Sequence, residues 1–201
     1  MAGDEATRLR ARPRPEPNGE LALRPASAYL SFFCPQGPGV APLRRRMNDL
    51  SDILTSDAID EHLAAANKKA LFQQLGAAVS RRTGLATKTI VTALAEREKI
   101  GSTGFGAGIA IPHAKVGGLD RVVGYFARMA APIDFQAVDG LPVDLVFMIL
   151  SPTDSGADHL KALAGVSRAL RDRNLTAKLR GARSRDAIFA LLAGIESLHA
   201  A

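Results

Sequence analysis

Tryptophan is absent from this 201-residue chain, and aromatic residues make up only 5% of it. Modules that hold single-stranded nucleic acid stack its bases on aromatic side chains, so that function has little support. Cysteine occurs once, at Cys34, which excludes an intrachain disulfide and a cysteine metal cluster and fits a reducing compartment. The four histidines, His62, His113, His159 and His199, include no closely spaced pair of the metal-binding kind. No metal or other cofactor is expected. No apolar run approaches the roughly 18 residues that cross a bilayer. A short apolar patch at residues 28–34 lies behind too many Arg and Pro residues to read as a signal peptide. The expected location is the cytoplasm, without membrane insertion.

What is present is a core and an uneven charge. Hydrophobic residues reach 47%, enough for a real interior. The net charge is +6 and the isoelectric point about 9.9. Residues 1–46 carry 8 Arg against 4 acids, whereas residues 47–201 carry 18 basic against 16 acidic residues. A nucleic-acid module needs a basic face on its folded part. These totals do not indicate one, and no nucleic-acid partner is expected.

Residues 1–46 also hold 7 of the 11 prolines, with Arg and Pro alternating from Arg10 to Pro17. Such a composition buries too little surface to offset its ordering entropy, so a disordered leader is expected. Translation starting at Met47 would account for it equally well. Mass spectrometry of the native N-terminus separates the two.

From Met47 the pattern is globular. Residues 48–54 suit a short opening helix and residues 58–65 a strand. Lys69 to Arg82 places Leu71, Leu75, Ala78 and Val79 on one helical face, and Gly84 ends it. Thr87 is the expected cap of a second helix reaching Lys99, with Ile90, Val91 and Leu94 inward. Strands are expected over residues 108–111, 121–129 and 143–150, the last almost continuously apolar, as in a strand covered on both faces. Leu160, Leu163, Val166 and Leu170 recur at helical spacing over residues 156–171. Shorter helices follow near 174–181 and 184–193, the second capped by Ser184. Strands interleaved with helices give an α/β or mixed α+β class with a central sheet flanked by helices. Periodicity leaves the strand order open.

The chemistry-bearing stretch runs from Gly101 to Lys115. Its glycines Gly101, Gly104, Gly106 and Gly108 let backbone approach an anion closely, and the hydroxyls of Ser102 and Thr103 could help line a phosphate site. The spacing is not that of a Walker loop or a dinucleotide fingerprint. Pro112 stiffens the strand end, so His113 projects from a defined place. A neutral imidazole is a competent nucleophile, although a lone histidine is more often a turn filler. His159 falls in the first turn of a helix, where free N–H groups favour anions. Arg97 at a helix end could be a simple solvated charge. Lys115 could attract phosphate or merely be exposed. His62 suits a strand edge and His199 a frayed tail.

Taken together, Glu96-Arg97-Glu98, Gly101-Ser-Thr-Gly and Gly108-Ile-Ala-Ile-Pro-His113 resemble the phosphorylation-site signature of the fructose/mannitol-type enzyme IIA superfamily of the bacterial phosphotransferase system. Val138 to Phe147 with Ser151-Pro152, and Ala157-Asp-His159-Leu-Lys-Ala-Leu163, are similar to its next strand and helix. The resemblance covers roughly residues 47–195 as one domain. It implies a mixed, mostly parallel sheet between helices. It also implies His113 as phosphoryl acceptor through Nε2, His159 beside it holding phosphoryl oxygens, and Arg97 as a positive contact fitting the nitrogen-type branch.

The implied donor is an HPr-like nitrogen phosphocarrier protein in a phosphoenolpyruvate-dependent relay. The implied targets are regulatory proteins such as potassium-transport or sensor-kinase components. The absence of a IIB-like cysteine motif or membrane segments after the domain favours the same stand-alone branch. A sugar-uptake IIA passing phosphate to a IIB cysteine, and a binding module that is never phosphorylated, are the alternatives. Ala107 stands where the family often carries a polar residue, so any contact from that side chain cannot operate here.

Overall fold

The run Val143–Ser151 is buried at every position except Asp144, and the domain is organised around it. The computed structural model describes residues 50–194. The expectations for the leader, Met47, Cys34 and His199 lie outside these residues.

Strand β1 is Ile59–Leu63, β2 Gly104–Gly106, β3 Ile109–Ala110, β4 His113–Lys115, β5 Val123–Ile133 and β6 Val143–Ser151. Helix α1 is Lys68–Thr83, α2 Thr87–Ile100, α3 Gly156–Arg171, α4 Arg173–Gly181 and α5 Arg185–Ala193. The strand order is β1-β5-β6-β3-β2, with β4 also paired to β6. Of the five pairings, β1 with β5, β3 with β6 and β4 with β6 are parallel, and β2 with β3 and β5 with β6 antiparallel. The sheet is thus mixed, with most pairings parallel. Its longest ladder is the antiparallel β5–β6 pair, running from Val123 opposite Leu150 to Ile133 opposite Val143. Phe126 and Phe147 pack edge to face across that ladder, with centroids 6.3 Å apart. Burying each ring contributes about 2–3 kcal/mol.

Local chemistry explains the helix ends. Asn67 accepts from the Ala70 N–H and opens α1; Gly84, at φ 73°, closes it. Ser184 caps α5 by accepting from the Ala187 N–H. The expected Thr87 cap is displaced: Ala86 holds the cap position with no side-chain bond, and Thr87 is already helical. In α3 the buried stripe is His159, Ala162, Val166, Ala169 and Leu170, while Leu160 is 65% exposed. The helix is rotated away from the expected Leu160 stripe so that His159 faces the sheet. The opening helix is only a 3₁₀ turn at Leu50–Asp52. Arg128 on β5 ties the C-terminal end of α4 to the sheet, donating from Nη1 to the carbonyls of Leu179, Arg180 and Ala182. These are carbonyls that a helix end leaves without partners.

The glycine-rich stretch forms the β2–β3 hairpin at the sheet edge rather than one strand from residue 108. Gly106, Ala107 and Gly108 turn through φ values of 99°, 53° and 80°. Ala107 is held there by its N–H donating to Asp139 at 2.7 Å and its carbonyl accepting from Arg180 at 2.9 Å. Gly104 has a different reason: a Cβ there would lie 2.6 Å from Ala137 Cα and 2.8 Å from its Cβ. Backbone cannot retreat as a flexible side chain can. Gly104→Ala is therefore expected to destabilise the domain by about 2 kcal/mol. Urea unfolding checks this, as a lower midpoint at unchanged slope.

Candidate functional site

Strands β4 and β6 run parallel with His113 beside Ile149 and Lys115 beside Ser151. Chain direction therefore brings the β4 residues and the carboxyl end of β6 to the same place as the first turn of α3. Ligands of open α/β sheets favour this side of the strands. An open cleft of about 630 Å³ lies there, lined by Ala93, Glu96, Arg97, Lys99, Ile100, His113, Ala114, Lys115 and His159.

His113 is half-buried. Its Nδ1 lies 2.8 Å from the Ile111 carbonyl. A carbonyl only accepts, so Nδ1 carries the proton and Nε2 the lone pair. Arg97 Nε donates to that Nε2 at 3.1 Å, while Arg97 Nη1 donates to the Gly101 carbonyl at 3.0 Å. The two bonds agree on one tautomer. Pro112, between Ile111 and His113, sets this geometry by limiting both its own φ and its neighbour's. Burial lowers the imidazole's pKa below its ordinary value more than the Ile111 bond raises it, and the Arg97 charge adds to the lowering. The ring is neutral at neutral pH.

His159 is 9% exposed. Its ring centroid lies 5.6 Å from that of His113, at an interplanar angle of 50°. Its Nδ1 is 2.8 Å from the buried Ser151 hydroxyl. Burial first, then repulsion from His113 when that ring is protonated and from the Lys115 and Arg97 cations, hold it below the usual imidazole range. The cleft thus joins two neutral imidazoles with Arg97, Lys99 and Lys115, against one acid, Glu96. Lys99 is paired with Glu96 at 2.6 Å.

The structure brings together His113, His159, Arg97 and, through its carbonyl, Gly101. It turns Ser102 and Thr103 elsewhere. Glu98 accepts from both hydroxyls, from the Thr103 N–H at 2.9 Å and from Lys68 at 2.8 Å. Burial alone would raise the Glu98 carboxyl, but the bonds from Lys68 and Thr103 outweigh it and hold it low. This network anchors the chain just after Arg97 and so fixes Arg97's approach to His113. Gly104, Gly106 and Gly108 shape the hairpin and do not line the cleft. His62 lies exposed on the edge strand β1.

Lys99 and Ile100, and the roles of Glu98 and Ser151, were not among the expected site features. A polar residue closing an otherwise apolar strand was the available signal for Ser151. An acid followed at four and five residues by Ser and Thr was the signal for Glu98.

Residues 52–194 match the family described as phosphoenolpyruvate-dependent sugar phosphotransferase system, EIIA 2. A nitrogen regulatory protein of Bradyrhizobium diazoefficiens is 44% identical over 144 residues, covering 72% of this chain and 94% of the relative. A fructose-specific EIIA component of Haloferax volcanii is 44% identical over 103 residues, covering 51% and 67%. The crystal structure of nitrogen regulatory protein IIA-Ntr from Neisseria meningitidis superposes with a TM-score of 0.67 at 33% identity, covering 70% of this chain and 97% of that one.

Proposed function

Because the chain belongs to the EIIA type 2 family of the phosphoenolpyruvate-dependent sugar phosphotransferase system, we propose that it is a histidine phosphocarrier whose His113 Nε2 accepts a phosphoryl group from an HPr-like nitrogen phosphocarrier protein. Its phosphorylation state then regulates nitrogen, carbon or potassium metabolism from the cytoplasm, through targets such as potassium-transport or sensor-kinase components. The observation that carries this reading is the His113 tautomer: Ile111 holds the proton on Nδ1 and leaves Nε2 as the nucleophile.

In the transfer, the Nε2 lone pair forms the new N–P bond as the donor's N–P bond breaks. The donor's nitrogen leaves with the electron pair. His113 needs no base, because its proton stays on Nδ1. The Ile111 carbonyl stabilises the positive charge that develops on the ring. Phosphoryl transfer is mostly positioning and electrostatics. Arg97 leaves Nε2 as phosphorus arrives and meets the phosphoryl oxygens with Lys115 and His159. Ile100, 84% exposed, and Leu160, 65% exposed, lie at the cleft and beside His159. They supply apolar area on which a carrier protein can dock. Added phosphate changes the charge at that same surface, so partners can distinguish the two states.

The nitrogen-type branch draws on the relatives named nitrogen regulatory protein. The fructose-type relative supports the second reading, onward transfer to a IIB cysteine. Purified enzyme I and phosphocarrier proteins of each type, supplied with labelled phosphoenolpyruvate, test both. Acid-labile label arriving faster through the nitrogen-type donor is the expected result. Label arriving only through the sugar-type chain and moving on to a IIB cysteine would establish the second. No label from either donor would leave a binding module.

A further inference from the structure

The two imidazoles of the cleft are held at Nδ1 by bonds of opposite sense. At His113 the partner is a carbonyl, which can only accept. At His159 the partner is the Ser151 hydroxyl, which can donate or accept. Burial removes the ambiguity. Ser151 is 0% exposed, so its hydroxyl hydrogen has no water and must find a protein acceptor. Among the described residues, the hydroxyl's one hydrogen-bond partner is His159 Nδ1. Were Nδ1 to carry the proton, the serine hydrogen would be buried without an acceptor, which is the costly arrangement. With Nδ1 accepting, the ring proton sits on Nε2.

We propose that Ser151 is a positioning residue that locks His159 in the Nε2–H tautomer, so that the cleft presents one imidazole as a lone-pair nucleophile and the other as an uncharged hydrogen-bond donor to the phosphoryl oxygens. The functional half of this rests on the phosphocarrier reading; the tautomer does not. The opposite tautomer would turn a lone pair toward an anion, repelling what the site has to hold. A protonated His159 would bind the anion more strongly but crowd a third charge beside Arg97 and Lys115. Ser151 gives the donor without the charge. The sequence context fits, because Ser151 ends the otherwise apolar core of β6 directly beside Lys115 of β4. An apolar residue there would pack equally well and leave His159 without an orienting bond.

The test reads tautomer and transfer separately. Two-bond ¹H–¹⁵N correlation spectra of ¹⁵N-histidine-labelled protein at neutral pH should show His159 protonated at Nε2 and His113 at Nδ1. Ser151→Ala should shift His159 toward a mixture of tautomers, and Ser151→Thr, which keeps the hydroxyl, should restore the wild-type pattern. Single-turnover phosphoryl transfer to His113 should slow by about tenfold in Ser151→Ala, less than the loss when a direct donor is removed. It should stay within about twofold of wild type in Ser151→Thr, with His113 still the acceptor in both.

Wild-type His159 protonated at Nδ1 would overturn the proposal, and that spectrum decides the tautomer even if the alanine variant does not fold. An Ser151→Ala protein with unchanged tautomer or unchanged rate would also overturn it. Absence of transfer to wild-type protein would instead defeat the carrier reading and the donor role built on it, leaving the spectra to decide what Ser151 does to His159.

Discussion

Replacing His113 with alanine should reduce phosphoenolpyruvate-dependent labelling to background, a loss greater than about 10³-fold, because no second group can take over a covalent step. Among the described residues, His159 is the only other imidazole lining the cleft, and its Nδ1 is already occupied by the Ser151 hydroxyl. His113→Gln should fail equally while filling the same space, which separates lost chemistry from a collapsed cleft. Intact-mass measurement after incubation with the donor proteins is the check. Undiminished labelling of either variant would remove His113 from its role.

The pH dependence follows from the same ring. Its pKa is lowered from 6.5, so the lone pair stays free as pH falls through the usual histidine range. The transfer rate should therefore decline at a lower pH than an ordinary imidazole would set, as Nε2 takes up a proton. The unfolded chain binds that proton first, at the ordinary pKa. Acidification through this window consequently favours unfolding as well, and His113→Gln should reduce that sensitivity.

Arg97→Ala should slow single-turnover transfer by about 10²–10³, the usual loss when one preorganised donor to a developing anion is removed. The expectation rests on two bonds, from Nε to His113 and from Nη1 to Gly101. Together they aim a fork-shaped cation at the place where charge develops. Lysine cannot reproduce the fork, so Arg97→Lys should recover only part of the rate. Quench-flow with phosphorylated donor protein measures it. The phosphoryl group should still end on His113, because the nucleophile itself is intact. A rate within about twofold of wild type would reduce Arg97 to a solvated helix-end charge.

Much of the framework was legible in the sequence where one residue makes the decision. Gly84 stops α1 because it alone takes a left-handed φ without strain. Ser184 opens α5, and the almost continuously apolar run of β6 suits a strand covered on both faces. The placement of His113 at a strand end was legible because Pro112 and the flanking motif restrict its setting.

What escaped depends on pairings between distant parts of the chain. Leu160 has the better hydrophobic claim to the α3 stripe, yet His159 is inward, because its partner Ser151 belongs to a strand that local periodicity cannot position. The hydroxyls of Ser102 and Thr103 looked free for an anion until Glu98, on the preceding helix, claimed them. The glycines read as a phosphate cradle because glycine permits close approach of anything. Here what approaches is Ala137 at Gly104, and Asp144 with Arg180 at Gly108.

The bond from Arg97 to His113 Nε2 also bears on chemical selectivity. At rest, the most reactive lone pair in the cleft is already occupied by an N–H. An uncharged electrophile of comparable reactivity, such as an acyl or alkyl donor, has nothing with which to draw the guanidinium aside. A phosphoryl donor brings its own negative oxygens, which compete for that same cation and uncover the nitrogen as they do so. Discrimination between reagents is in this way written into the unmodified state, before any partner surface has been recognised, and the imidazole is shielded from adventitious modification.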